Sequence, residues 1–136
     1  MPRAELRLRI RYVVCMTGVL RRFFEVLDGP DAYRSIDMLA DDLRFSILFS
    51  TESGEARDFA GGRAEFDEYM AQRGSPEWTH HVLLESAHDQ AELVLGETRQ
   101  DGAVVATFVA AIRLDADGRI TRYMVARSPA VAFDIG

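Results

Sequence analysis

The sequence predicts a single α+β domain, with three helices packed on one face of a curved, mostly antiparallel sheet. Helical segments precede most of the strands, and four strands then follow one another through short turns, which favours antiparallel pairing. Both faces of the last hairpin are apolar, so each side of the sheet should be covered. We expect helices on one side and another subunit on the other.

The helices are marked by apolar residues at helical spacing, bounded by capping residues and helix breakers. The apolar stripe of the first helix is Leu20, Phe23, Phe24 and Leu27. The predicted helices run from the Thr17 cap to the breaker Asp28-Gly29-Pro30, from the Asp31 cap to Asp41-Asp42, and from Arg63 to Arg73.

The strands alternate apolar and polar residues or are rich in β-branched residues. Asp101-Gly102 predicts a two-residue hairpin turn, and Asp115 to Gly118 predicts a four-residue turn. The predicted strands are Leu43 to Phe49, Thr79 to Ala87, Ala91 to Arg99, Ala103 to Leu114 and Arg119 to Arg127, with a further short strand before Gly61 left open.

The chain of 136 residues is predicted to hold one domain, residues 17–136, after an N-terminal extension, residues 1–16. In the extension Arg7, Arg9 and Arg11 alternate with apolar residues. This period of two predicts an extra edge strand or an arm laid on a neighbour. The alternative is a poorly ordered extension upstream of a natural start at Met16.

Composition excludes several classes of function. The net charge of −6 argues against a general nucleic-acid binder. All sixteen basic residues are Arg, and Lys and Asn are absent, which indicates a GC-rich, bacterial genome. The single Cys15 allows no intrachain disulfide, so we expect a cytoplasmic protein. No apolar run approaches the ~20 residues of a membrane span, and the apolar run after the basic start is too short for a signal peptide.

Counting residues across the predicted turns places a polar row inside an apolar face. The row runs His80, Glu97, Ala106, Arg127 across four strands, with Tyr123 deeper on the same face. An acid, a base and an imidazole converging on an apolar cleft favour a catalytic site. The alternatives are a surface ion pair, a half-buried structural imidazole and a packing tyrosine.

The order of elements resembles the nuclear-transport-factor-2-like superfamily, specifically its SnoaL-like branch. This resemblance implies a cone-shaped barrel with a mostly apolar pocket, dimeric through the outer face of the sheet. Its members include ketosteroid isomerases, polyketide cyclases and dehydratases. The resembling stretches are LRRFFEVLDGPDAYRSIDMLADDLRF, FAGGRAEFDEYMA, THHVLLESAHDQAEL and IRLDADGRITRYMV.

The known chemistries of this superfamily carry over only in part. The three proton-handling positions of ketosteroid isomerases are Phe23, Ile47 and Ala110 here, and none of these can move a proton. The dehydratase histidine matches His80, but no aspartate partner is evident, and the Asn that often follows this histidine is replaced by Leu84. Dehydratase chemistry is therefore an open alternative.

The leading hypothesis is a lyase or isomerase acting on a small hydrophobic, cyclic or polyketide-like substrate. His80 would be the general acid or base with Glu97 as its partner, and Arg127 and Tyr123 would hold a substrate oxygen. The alternatives are a non-catalytic module that binds a small ligand and an accessory subunit with a vestigial pocket. We predict a homodimer through the outer face, where Leu83, Val94, Val109 and Met124 form a row.

We predict no cofactor and no metal, since His80 and His81 are adjacent on a strand and point to opposite faces. We expect no nucleic-acid or membrane partner. The predicted lining of the pocket is Phe23, Phe45, Ile47, Phe66, Val82, Leu84, Leu93, Leu95, Ala106, Phe108, Ala110 and Val125.

Overall fold

The structure, a computed structural model, describes residues 18–50 and 56–135. The elements within these residues are helix α1 (Val19–Asp28), a 3₁₀ helix (Ala32–Met38), strands β1 (Leu39–Ser50) and β2 (Ala56–Gly61), helix α2 (Arg63–Arg73), and strands β3 (Thr79–His88), β4 (Ala91–Gln100), β5 (Ala103–Leu114) and β6 (Ile120–Ser128). The predicted α+β class is confirmed. The predictions for residues 1–16 and for the Thr17 cap lie outside the described residues.

The six strands form one curved, open sheet in the order β2-β1-β6-β5-β4-β3. All neighbouring pairs are antiparallel except β1 and β6, which run parallel. Helix α1 packs on β3 and β4, and α2 packs on β1 and β2. The helices therefore cover one face of the sheet, as the sequence predicted.

The core between helices and sheet is rich in aromatic rings. Phe23 is fully buried and packs against Phe24, Phe66 and Tyr123 with ring centroids 5.2–6.2 Å apart. The other fully or nearly fully buried apolar side chains include Leu20, Leu39, Leu43, Phe108, Leu114 and Ile120.

A carboxylate from the sheet caps the first helix. The residue before α1 is Gly18, which has no side chain to offer. The buried Glu92 on β4 accepts hydrogen bonds from the backbone N–H groups of Val19 (3.2 Å) and Leu20 (3.0 Å) instead. Helix N-termini leave such donors unsatisfied and favour negative charge, so this contact fixes α1 on β4.

We expect Glu92→Ala to lower the free energy of unfolding by about 1–3 kcal/mol, because two buried N–H groups lose their acceptor. Glu92→Gln keeps one acceptor oxygen and should cost less. The matched control is Glu85→Ala, which removes an exposed ion pair with Arg21 together with a negative charge that acts on Glu92, and should change stability by less than about 1 kcal/mol. Urea denaturation measures all three. A Glu92→Ala variant as stable as Glu85→Ala would contradict this role.

The second predicted helix is a shorter 3₁₀ helix, and the predicted break at Asp41-Asp42 is wrong. Strand β1 begins at Leu39, and the side chain of Asp42 accepts a hydrogen bond from Thr121 Oγ1 at 3.1 Å. A polar partner on β6 therefore lets this acidic pair sit within a strand. Tyr33, on this 3₁₀ helix, is 66% exposed.

The last hairpin is displaced by two residues from the predicted register. Asp115 and Arg119 close the turn, which adds one residue of offset, and a bulge in β6 next to Ile120 adds a second. Arg127 therefore lies opposite Phe108 instead of Ala106. Because side chains alternate with a period of two, the offset of two beyond this bulge leaves Tyr123, Val125 and Arg127 on their predicted face.

Strand β4 is displaced by a single residue, and its side chains are reversed. The Asp101-Gly102 turn pairs Gln100 with Ala103 as predicted, but a bulge between Thr98 and Arg99 shifts the pairing beyond it. Glu97 consequently pairs with Thr107 on β5. In the β3–β4 hairpin, His88 pairs with Ala91 and a bulge lies at Leu83, so Glu97 pairs with His81 and the predicted pairing of His80 with Glu97 is wrong. His80 lies opposite Thr98.

The outer face of the sheet carries exposed apolar side chains, but in a different row from the one predicted. Val94, predicted to be on the outer face, is buried, and Leu83 lies at a bulge in β3. The large apolar side chains exposed at 50–60% on the strands are Leu84, Leu93, Val109 and Met124. The homodimer through this face stays a prediction.

Candidate functional site

The centre of the candidate site is a histidine held by the end of the first helix. His80, at the start of β3, donates its backbone N–H to Asp28 Oδ2 at 2.7 Å, and its ring Nδ1 lies 2.8 Å from Asp28 Oδ1. Both side chains are largely buried, with 8% and 13% of their surface exposed. A carboxylate can only accept, so Nδ1 carries the hydrogen. The Nε2 atom is then free to take a proton.

Aromatic rings enclose the imidazole of His80. Phe24 stacks on it, with ring centroids 4.4 Å apart and planes 14° from parallel, and Phe108 and Trp78 meet it edge-on at 5.4 and 5.1 Å. Phe108 reaches this position because Gly96 lies beside it, where a Cβ would stand 2.2 Å from the ring. The imidazole is therefore fixed in orientation and shielded from water.

Burial lowers the pKa of His80 below its usual 6.5. The hydrogen bond and the charge of Asp28 act in the opposite direction, whereas the charges of Arg73 and Arg127 lower this pKa further. His80 is therefore neutral at pH 7, the state in which Nε2 can act as a base.

Arg127, near the end of β6, lies against two rings and no carboxylate within residues 18–50 and 56–135. Its guanidinium carbon is 4.2 Å from the centroid of Trp78 and 5.0 Å from that of Phe49. Arg73, the last residue of α2, approaches the same Trp78 ring at 5.6 Å. Burial lowers the pKa of Arg127, and the positive charge of Arg73 contributes to the same shift. An arginine nonetheless stays charged at neutral pH.

Two tyrosines complete the polar groups of the site. Tyr123 is buried on β6, and burial raises its pKa, so its hydroxyl remains protonated and can donate a hydrogen bond. Tyr69 on α2 lines the same cavity as Tyr123 and Arg127.

These groups surround one cavity. The space in it open to the centre of a water molecule is about 20 Å³, enough for roughly one water. A larger ligand therefore requires side chains around the cavity to move. The lining residues are Leu27, Ile47, Leu48, Phe66, Tyr69, Arg73, Trp78, His80, Phe108, Tyr123, Val125 and Arg127.

Three of the four predicted catalytic residues, His80, Tyr123 and Arg127, line this cavity together. Glu97 does not join them. It lies on the opposite face of the sheet, where its Oε1 accepts a hydrogen bond from Arg99 Nε at 2.7 Å. The reversal of β4 caused by the bulge at Thr98 is the physical reason.

The predicted pocket lining divides in the same way. Ile47, Phe66, Phe108 and Val125 line the cavity. Phe23, Phe45 and Ala110 are buried in the core, and Val82 packs against it. The predictions for three leucines are wrong: Leu84 and Leu93 are exposed, and Leu95 pairs with Leu84 and Val109 on the outer face. Ala106 lies on the inner face, opposite Thr98, but is not among the residues that line the cavity.

Sequence reasoning missed Asp28, Arg73, Trp78 and Tyr69. The sequence pattern assigns Asp28 only to a helix breaker, and the expectation that His80 has no evident aspartate partner is wrong. A signal was present, since Asp28 closes α1 where the helix dipole disfavours negative charge. A carboxylate at that end of a helix is stabilised when a hydrogen-bond donor from another helix or strand pairs with it, so its presence predicts such a donor. Trp78 and Arg73 lie in or beside a polar connection and carry no comparable signal.

Comparison with solved structures identifies the fold. A protein provisionally named an isomerase of the SnoaL-like family, from Agrobacterium tumefaciens, superposes with a TM-score of 0.63 at 11% identity, over 83% of this chain and 97% of that one. A protein provisionally named a ketosteroid isomerase, from Kribbella flavida, gives 0.62 at 19%, over 89% and 83%. One provisionally named a polyketide cyclase, from Sinorhizobium meliloti, gives 0.55 at 18%, over 79% and 93%.

The chain has the nuclear-transport-factor-2-like fold. The resemblance predicted from the ordered sequence stretches is therefore confirmed at the level of the fold. No protein-family model matches the sequence, and a search of curated proteins finds no match. At these identities the likeness carries the fold alone, so function has to be argued from the site.

Within the described part of the chain, no three or more His, Cys, Asp or Glu side chains are grouped so that they could hold a metal ion. The helices there have at most 11 residues, and none is long and apolar enough to cross a membrane.

Proposed function

We propose that this protein is a proton-transfer enzyme of the isomerase or lyase type, acting on a small, largely apolar carbonyl compound. The observation that carries the proposal is the buried His80–Asp28 pair, which leaves a neutral imidazole nitrogen free beside an apolar cavity. Stability alone would not require an imidazole and a carboxylate among aromatic rings, because burying such groups is costly.

In this proposal His80 Nε2 removes a proton from the carbon next to the substrate carbonyl. The electrons of that C–H bond move to the carbonyl oxygen, and the resulting enolate accepts a hydrogen bond from Tyr123. The Asp28 carboxylate stabilises the imidazolium that forms. The proton then returns to a different carbon in an isomerisation, or accompanies a departing hydroxyl group as water in a dehydration.

The isomerase, cyclase and dehydratase alternatives share this first step, so it can be tested without the natural substrate. We expect the protein in D2O to speed deuterium incorporation next to the carbonyl in at least one member of a panel of cyclic ketones, β-hydroxy ketones and β,γ-unsaturated ketones. NMR spectroscopy measures the exchange. Glu97→Gln is the matched control and should keep the full rate, because Glu97 lies on the other face of the sheet.

Exchange no faster than in buffer across the panel would contradict proton transfer and favour the alternative of a non-catalytic ligand-binding protein. The small cavity favours small substrates over steroid-sized ones. Assembly as a homodimer through the outer face and a cytoplasmic, bacterial setting belong to this proposal as predictions.

A further inference from the structure

The cavity is electropositive although the protein is acidic. The chain has a formal net charge of −6, yet the residues among 18–50 and 56–135 that line the cavity include Arg73 and Arg127 and no Asp or Glu. Asp28, the carboxylate behind His80, already accepts both the backbone N–H and the ring Nδ1–H of that residue. Within the described part of the chain, the two guanidinium groups therefore line a cavity that offers them no carboxylate.

Three other arginines of this protein have a different environment. Arg21, Arg63 and Arg99 each form an ion pair with a carboxylate. In residues 18–50 and 56–135, Arg127 has no ion pair and no hydrogen bond to a side chain or backbone oxygen; its contacts are the Trp78 and Phe49 rings. A half-buried guanidinium without an oxygen acceptor carries a desolvation cost that a bound anion would offset.

Arg73 adds a second cation at the same ring. Its only oxygen contact within the described residues is a long one, from Nη1 to the backbone oxygen of Leu27 at 3.5 Å. Both guanidinium groups approach Trp78, at 4.2 and 5.6 Å from its centroid. Two like charges held beside one ring repel each other, and a negative group between or near them would offset that repulsion.

We propose that the cavity binds a small apolar carboxylate, with its carboxylate group held by Arg127 and Arg73 and its carbon skeleton against the apolar wall that includes Phe108 and Val125. The inference rests on the proposed function for its chemical meaning, since it makes the substrate a carbonyl compound that also carries a carboxylate. A carboxylate matches the planar fork of N–H donors that an arginine presents. Anchoring one end would hold the other end of the molecule at His80.

Trp78 provides a direct readout, because it is the only tryptophan of the chain and touches both arginines. The probes are acetate, isobutyrate and cyclohexanecarboxylate, each compared with its neutral amide at pH 7.5. Fluorescence excited at 295 nm reports binding. We expect each carboxylate that binds to do so roughly 10- to 100-fold more tightly than its amide, the range given by one or two charge-assisted hydrogen bonds.

Arg127→Gln should abolish this preference, and Arg73→Gln should reduce it. Arg99→Gln, which removes an arginine paired with Glu97 outside the cavity, should leave it unchanged. Equal affinity for carboxylate and amide in the wild type would overturn the proposal, and this outcome does not depend on how any variant folds. Preference retained in Arg127→Gln, or no binding of any carboxylate, would overturn it as well.

The carboxylate-binding proposal and the proton-transfer proposal can be refuted independently of each other. His80→Ala should keep the preference for carboxylates, because His80 is not the anion anchor. If the preference is present and exchange is absent, the site binds carboxylates without catalysis. If exchange is present without the preference, the enzyme acts on neutral carbonyl compounds and the anion proposal is wrong.

Discussion

His80→Ala is expected to reduce the proton-exchange rate roughly 10²- to 10⁴-fold, the usual contribution of a general base. The fold should survive, because a change of about 1–3 kcal/mol is smaller than the stability of about 5–15 kcal/mol typical of a domain. The measurements are exchange by NMR and thermal unfolding by circular dichroism.

The matched control is His81→Ala. His81 is the next residue on β3, its side chain lies on the opposite face, and its ring Nε2 is 2.7 Å from Thr79 Oγ1. This variant should exchange at the wild-type rate. Loss of activity in both variants would instead indicate damage to β3, and unchanged activity in His80→Ala would refute the role of His80.

The pH dependence follows from the direction of the pKa shift. Burial holds the pKa of His80 below 6.5, so the exchange rate should rise with pH through a value below 6.5 and stay level at neutral pH. The unfolded chain takes up the proton at a higher pH than the folded protein does. This group therefore costs no stability above pH 6.5 and destabilises the fold as pH falls below it. Asp28→Asn should lower the pKa of His80 further, so the rise of the exchange rate with pH should occur at lower pH.

Phe23→Ala is expected to lower the free energy of unfolding by about 3–5 kcal/mol, which corresponds to a decrease in Tm of roughly 10–20 °C. Phe23 is fully buried between α1 and the sheet and contacts Phe24, Phe66 and Tyr123. Removing its ring leaves a cavity that close-packed neighbours fill only in part. Thermal and urea unfolding measure the loss.

The control for this prediction is Tyr33→Ala, which removes a ring that is 66% exposed. Its effect should lie within about 0.5 kcal/mol. A Phe23→Ala variant with a similarly small effect would mean that the core collapses around the missing ring, and the aromatic packing would then contribute less than its burial suggests.

The local elements of this protein were predictable because their signals are local. The apolar stripe of Leu20, Phe23 and Leu27 and the breaker after it determine α1, and the bounds of α2 match the prediction. The Asp101-Gly102 turn has positive φ at both residues, as its sequence indicates. The order of such segments was also enough to predict the fold.

Which residues form the site depends on bulges and register shifts that leave no signal in the local sequence. One bulge next to Thr98 moved Glu97 and Leu95 to the outer face, whereas the two offsets in the last hairpin add to two residues and keep Tyr123 and Arg127 inside. Whether a strand carries an odd or even number of extra residues decides which face each side chain occupies.

The partner of His80 was decided by tertiary structure alone. Asp28 lies 52 residues before His80, and only the packing of α1 on β3 brings the two together. The residue types by themselves determined a fold, an apolar interior and an imidazole within it. Contacts between elements distant in sequence place the Asp28 carboxylate against the His80 imidazole. Such contacts also place the Trp78 ring beside both Arg73 and Arg127.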